Sequence, residues 1–171
     1  MPRVSVLDGW RVCPRCGLDL EIADGKATCP EGHVFYANPS PTACALCEDD
    51  RGRILLVRRA RPPFEGAWDV PGGFVEEGEH PLDTIRRELR EETGLEVEPR
   101  EFLGAWVDTY SEDDTGPGTL NLYWTATVLG GEPEAADDVA ELRWCAPREL
   151  PPPDEVAFHV AEVLSAWQQH A

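Results

Sequence analysis

Apolar residues recur along this chain with two different periods. Leu120, Leu122, Trp124, Ala126 and Val128 stand at every second position between more polar neighbours, which predicts a half-buried strand over 120–129. Further strands are predicted at 42–48 and 53–59, around an Asp49-Asp50-Arg51-Gly52 turn, and at 102–110 and 141–145. Pro62-Pro63 ends the second of these, and a short extended piece is predicted at 68–70. Leu82, Ile85 and Leu89 instead follow helical spacing. Pro81 suits the first turn of that helix and Gly94 the position just past its end. After Pro151-Pro152-Pro153, the residues Val156, Val160, Val163, Leu164 and Trp167 predict a closing amphipathic helix. The order of elements is compatible with an α/β domain, a mixed sheet packed between helices, though the pattern alone does not select it.

The polar face of the first helix is unusual. Glu88 and Glu92 are four residues apart and Glu91 is three from Glu88, so the acids share one face beside the apolar stripe. Crowded like charges weaken a helix, and a merely solvated face would more comfortably alternate in sign. Arg87, four before Glu91, could steady that acid, while Arg86 and Arg90 fall on the outer side. Clustered carboxylate oxygens suit a hard divalent cation; magnesium takes a few carboxylates, retained waters and substrate phosphates.

Gly73, Glu79, Arg87, Glu88, Leu89, Glu91, Glu92, Gly94 and Leu95 fit the pattern G-x5-E-x7-R-E-U-x-E-E-x-G-U, with U apolar. The segment resembles the Nudix box, and the preceding residues 66–72 resemble that family's approach to it. The resemblance implies an α/β/α sandwich and an Mg2+- or Mn2+-dependent hydrolase that cleaves a nucleoside diphosphate linked to another moiety, releasing a nucleoside monophosphate. It implies catalytic roles for Glu88, Glu91, Glu92 and Arg87. Glu88 and Glu92 would be the principal metal ligands, with Glu91 beside them and a backbone carbonyl at Gly72 or Gly73 contributing. Glu79 and Arg87 would tie loop to helix. The general base stays open between Glu91 or Glu92 in the box and Asp137, Asp138 or Glu141 before the last strand.

Charge narrows the partners. With 33 acids against 15 bases the formal net charge is −18, which argues against nucleic acid or an anionic membrane as a partner. The same charge would repel a phosphorylated small molecule unless cations mediate its binding. Lys26 is the only lysine, so direct phosphate contacts would fall to arginine. No apolar run is long enough for a membrane span and no signal-peptide core is visible, so the expected location is the cytoplasm. A homodimer is left open.

The cysteines divide by position. Cys13, Cys16, Cys29 and His33 give C-x2-C-x12-C-x3-H, with Gly17 and Gly32 freeing both turns, and this spacing fits a tetrahedral zinc better than a disulfide in a chain with no sign of secretion. Such a zinc would be structural, because four protein ligands leave no place for water. The segment resembles the zinc ribbon that precedes the catalytic domain in NADH pyrophosphatases. It departs from them at the fourth ligand, where Gly32 stands in place of cysteine and His33 follows. Cys44, Cys47 and Cys145 lie in apolar runs and are expected to pack as free thiols. The stretch 34–41 reads as an extended connection, so the expected division is a ribbon at 1–37 and a hydrolase domain at 38–171.

Substrate identity is less legible. NADH pyrophosphatases carry Ser-Gln-Pro-Trp-Pro-Phe-Pro soon after the box, whereas this chain reads Val97-Glu98-Pro99-Arg100-Glu101-Phe102-Leu103-Gly104. ADP-ribose or a related sugar nucleotide is therefore favoured over NADH. Phe35, Tyr36, Trp68, Trp106 and Tyr110 are equally credible as base-stacking rings and as core. His80, His159 and His170 show no partner spacing and are expected at the surface, and the acidic loop 111–118 is expected to be solvated. A nucleotide sensor that does not cleave, or a ribbon that grips a partner, are the alternative readings. The intact acids oppose the first, and the few basic residues between Arg11 and Lys26 oppose the second.

Overall fold

The computed structural model describes residues 5–170. Its elements run β1 (Glu21–Ala23), β2 (Lys26–Thr28), β3 (Val34–Tyr36), β4 (Ser40–Glu48), β5 (Ile54–Arg59), β6 (Trp68–Asp69), β7 (Gly72–Phe74), α1 (Pro81–Thr93), β8 (Leu95–Thr109), β9 (Gly118–Gly131), β10 (Val139–Cys145) and α2 (Val160–His170). The first three strands make a small sheet of their own, and the remaining seven make one mixed sheet with the path β10-β5-β4-β9-β8.

Strand β4 sits at the centre because it is apolar on both faces. Ala43, Ala45 and Cys47 pack with Ile85 and Leu89 of α1, while Cys44 and Leu46 pack with Val160, Val163 and Trp167 of α2. A strand covered on both sides need not alternate, which explains the unbroken apolar run at 43–47. Its neighbours are β5, antiparallel, and β9, parallel from Ser40↔Thr119 to Glu48↔Thr127. The sheet between two helices is the sandwich that the resemblance implies and with which the element order is compatible. None of the described helices is long and apolar enough to cross a membrane.

Helix α1 begins and ends where its signals stand. His80 is exposed and caps the start, its Nδ1 accepting from the Leu82 N–H at 3.3 Å. Gly94 closes the helix in the left-handed region at φ 70°, donating to the Arg90 carbonyl at 3.1 Å.

Three elements differ from expectation. Strand β8 starts at Leu95, well before residue 102, and its pairing with β9 shifts register after Glu96, Pro99 and Phe102. Those shifts, with Glu96, Glu98, Arg100 and Glu101 interspersed, break the two-residue period that would have revealed it. Pro99 is tolerated because β8 is an edge strand. Residues 72–74, for which the apolar pattern predicts no strand, form β7 against β4. There Gly72 has φ 142°, and a Cβ on it would lie 2.4 Å from the Ala43 carbonyl oxygen, so only glycine lets the chain come this close. Residues 34–36 form β3 within the small sheet and so belong to it, not to a connection. Val156 lies before α2, bridged to Trp68, and is still buried.

Candidate active site

The acids of α1 open into a cavity of about 290 Å³. One wall carries Gly72, Gly73, Glu88 and Glu92, joined by Asp137 and Asp138 from the segment before β10. Glu92 is only 7% exposed, and its Oε2 accepts from the Gly72 N–H at 3.0 Å, so β7 fixes the carboxylate on α1. Burial pushes its pKa well above the usual carboxylate range, and the charges of Asp138, Glu88 and Asp69 push the same way. Glu88 is raised for the same first reason, opposed by Arg87 at 2.7 Å. A Cβ on Gly73 would meet the Glu88 carboxylate at 2.4 Å, so a side chain there would push that carboxylate out of its place.

Glu91 stands apart from its neighbours. Its side chain is 51% exposed, bonded to Arg87 at 3.3 Å, and it is not among the residues lining the cavity. Asp137 and Asp138 line it, but Glu141 does not: Glu141 pairs with Arg58 at 3.3 Å, both half-exposed.

Arg87 ties the loop to the helix. It donates to both oxygens of Glu79 at 2.9 Å, and also to Glu88, to Glu91 and to the Phe74 carbonyl. Hydrogen bonds from Arg87, then from Thr84 at 2.7 Å, hold the Glu79 pKa down to about 2. Because the folded value lies below the unfolded one near 4.5, the stability this tie contributes is present above that pH and lost as pH falls through about 2. Glu79→Gln should therefore lower the melting temperature by an amount that is constant above about pH 5 and shrinks toward pH 2.

The opposite wall was largely hidden from sequence reasoning. Arg59 donates to the buried Asp69 at 3.0 Å and to the Tyr110 hydroxyl at 3.3 Å, and its guanidinium lies over the rings of Tyr110 and Phe158. Burial raises the Asp69 pKa, and Arg59 opposes that shift. Tyr110 also meets Phe74 edge-on at 5.3 Å. Of the rings considered from sequence only Tyr110 lines the cavity; Trp68 is core, Trp106 lies behind His159, and Phe35 packs edge-on against Trp10. Phe74 and Phe158 gave no signal, since single aromatics in loops look alike in a sequence. His159 is a correction: it lines the cavity, its side chain is 9% exposed, and it bonds Asp108 at 2.9 Å. The side chain of His170 lies outside the described residues. Residues 112–115 are exposed as expected, with Glu112 accepting from the Phe64 N–H at 2.7 Å.

A second cluster lies in the small sheet. Cys13, Cys16, Cys29 and His33 bring their ligand atoms within 4.8 Å of one another, and they are the one metal-type group this tight among the described residues. The His33 Nδ1 is 3.4 Å from the sulfurs of both Cys13 and Cys29, and the Cys16 and Cys29 sulfurs are 3.7 Å apart, too far for a disulfide. The set is compatible with zinc. Cys44, Cys47 and Cys145 are buried and free, and burial raises each thiol pKa, that of Cys47 to about 12.

Residues 38–167 match the NUDIX domain family. The chain belongs to that family. Among NUDIX relatives, an ADP-ribose pyrophosphatase of Methanocaldococcus jannaschii is 36% identical over 137 residues, covering 79% of this chain and 76% of the relative. The NAD-capped RNA hydrolase NudC of Pseudomonas aeruginosa is 31% identical over 169 residues, 94% of this chain but 58% of its own length. The crystal structure of a NUDIX hydrolase from Nitrosomonas europaea superposes with a TM-score of 0.76 at 25% identity, covering 94% of this chain and 92% of that one. This NUDIX protein is thus a pyrophosphohydrolase of mixed α/β fold.

Proposed function

We propose that the chain is an Mg2+-dependent (or Mn2+-dependent) NUDIX hydrolase of nucleoside diphosphates linked to a second moiety, acting on ADP-ribose or a related sugar nucleotide in preference to NADH. One observation carries this: Glu92, buried, and Glu88, partly buried, lie on one wall of a cavity that also holds Asp69, Asp137 and Asp138, while both of its arginines, Arg59 and Arg87, are already engaged by acids. An anionic diphosphate cannot enter so acidic a cavity unless cations offset the charge, and hard carboxylate oxygens are the donor set such cations take. Divalent ions held by Glu88 and Glu92, with the backbone at Gly72 contributing, would neutralise phosphate charge and lower the pKa of a bound water. The residues of the chain do the rest. The Gly72 N–H holds Glu92 in place, Arg87 and Glu79 hold the loop, and the base is sought in Glu92, Asp137 or Asp138, which face the cavity, ahead of Glu91 and Glu141, which do not.

The preference for ADP-ribose rests on the Methanocaldococcus relative, matched over most of both chains, and on the absent proline-aromatic array after the box. We assign residues 1–37 to a ribbon closed by structural zinc on Cys13, Cys16, Cys29 and the Nδ1 of His33, and 38–171 to the hydrolase. Tetrahedral Zn–S bonds of about 2.3 Å place two sulfurs roughly 3.8 Å apart, which the Cys16–Cys29 separation of 3.7 Å supports. All six cysteines are free, as a reducing cytoplasm would keep them. A magnesium-supplemented screen of ADP-ribose, UDP-sugars and NADH, read by release of a nucleoside monophosphate, tests the proposal. ADP-ribose is expected to show the highest kcat/KM, and no turnover on any compound would return the chain to the sensor reading.

A further inference from the structure

Opposite the acids, one polar atom has nothing to bond. His159 is 9% exposed, its Nδ1 lies 2.9 Å from the Asp108 Oδ2, and its Nε2 is buried with no hydrogen-bond partner. The ring is fixed on two sides: it stacks on Trp106, with 11° between planes, and meets Tyr123 edge-on. A histidine kept only for packing would satisfy both nitrogens, because an unpartnered buried polar atom costs about 1–3 kcal/mol. The neighbouring polar groups are engaged. Asn121 accepts from the Thr42 hydroxyl at 2.8 Å and donates to Thr119 at 3.0 Å and to the Trp106 carbonyl at 3.3 Å, and Arg59 is held by Asp69 and the Pro63 carbonyl.

The backbone that delivers His159 is itself strained. Phe158, the residue before it, has φ 47°, a left-handed conformation that bulky residues rarely adopt. Phe64 has φ 59°, and the two rings meet edge-on at 4.7 Å. Both strained residues belong to one cluster, with Arg59 over Phe158 and Tyr110 stacked on it at 5.6 Å. Such outliers persist where the surroundings over-determine them, and they gather at ligand sites.

We propose that His159, oriented by Asp108, is the residue through which the cavity reads a hydrogen-bond donor on the nucleoside half of the substrate. The polarity of the contact follows from the pair. A carboxylate oxygen accepts, so Nδ1 carries a proton toward Asp108, and a ring with that single proton keeps a lone pair on Nε2. It takes an N–H or an O–H and rejects a carbonyl. On a nucleoside we take this to be the exocyclic amino group of the base or the 2′-hydroxyl of its ribose. Asp108 acts through the imidazole and is a positioning residue.

The inference rests on the hydrolase reading above and is tested with three diphosphates: ADP-ribose, the inosine analogue that replaces the 6-amino group by a carbonyl, and ADP-ribose lacking the 2′-hydroxyl of its adenosine. With the parent enzyme, kcat/KM should fall about tenfold or more for the analogue that lacks the bound donor, chiefly through KM. A loss with the inosine compound places the contact on the base, and a loss with the deoxy compound places it on the sugar. His159→Leu should lose a comparable factor on ADP-ribose and treat all three compounds alike. His159→Gln, closer in shape, guards against a folding defect and should shrink the same ratio. Asp108→Asn should reduce the ratio alone and add nothing on a His159→Leu background. Unchanged ratios in both His159 variants, or a parent enzyme that distinguishes neither analogue, would overturn the inference while leaving the hydrolase intact. A parent enzyme that cleaves no diphosphate would remove the hydrolase reading and this one with it.

Discussion

Glu92→Gln is expected to lower turnover at saturating magnesium by at least about a hundredfold, with a much smaller change in KM. Glutamine keeps the shape of the side chain and an oxygen to accept the Gly72 N–H, so β7 and α1 stay docked. What it removes is a carboxylate from the floor of the cavity, the group proposed above to hold the cation. Stability should move the other way. A carboxyl whose folded pKa lies above its unfolded one costs stability as pH rises past the unfolded value. At neutral pH, without added magnesium, Glu92→Gln should therefore melt higher than the parent. Glu88→Gln should cut turnover on the same scale. Steady-state assays beside melting curves measure both effects, and near-parental turnover in the two variants would remove the metal assignment.

Cys13→Ser should empty the ribbon of zinc and unfold it while leaving the sheet of β4–β10 intact. The small sheet has little else to hold it. Its strands are three residues long, and Val12, Ile22, Val34 and Tyr36 are 43–64% exposed. A tetrahedral thiolate site contributes on the order of 10–16 kcal/mol in isolated zinc modules, far more than so small a core can supply. Zinc content by atomic absorption should drop to background, and limited proteolysis should trim the chain back toward residue 37. Zinc-free variant protein that melts and resists protease like the parent would refute the ribbon.

The box and its helix were legible because their signals are local. Proline and glycine mark the ends of α1, apolar spacing marks its buried stripe, and Gly73 to Leu95 carry a spaced pattern. The opposite wall was not legible, because nothing links Asp108 to His159 or Arg59 to Phe158 until tertiary packing brings segments 51 and 99 residues apart together. His159 looked like a surface residue for want of a neighbour in sequence. The early start of β8 was hidden by register shifts and charges on an edge strand, and β7 by glycines that usually mark a loop but here let two backbones touch. Glu91 shows the limit of helical spacing: it shares a face with Glu88 and Glu92 yet leans out to Arg87.

The parallel seam between β4 and β9 joins residues near 40–48 to residues near 119–127, across everything that builds the catalytic loop. Closing so long a stretch of chain loses entropy before any contact repays it, which makes this pairing a late event. A chain that has emerged only as far as residue 117 exposes the whole box and yet leaves β4 open along one edge. The hydrolase should therefore acquire its cation-binding competence only near the end of synthesis, however early its signature has been translated.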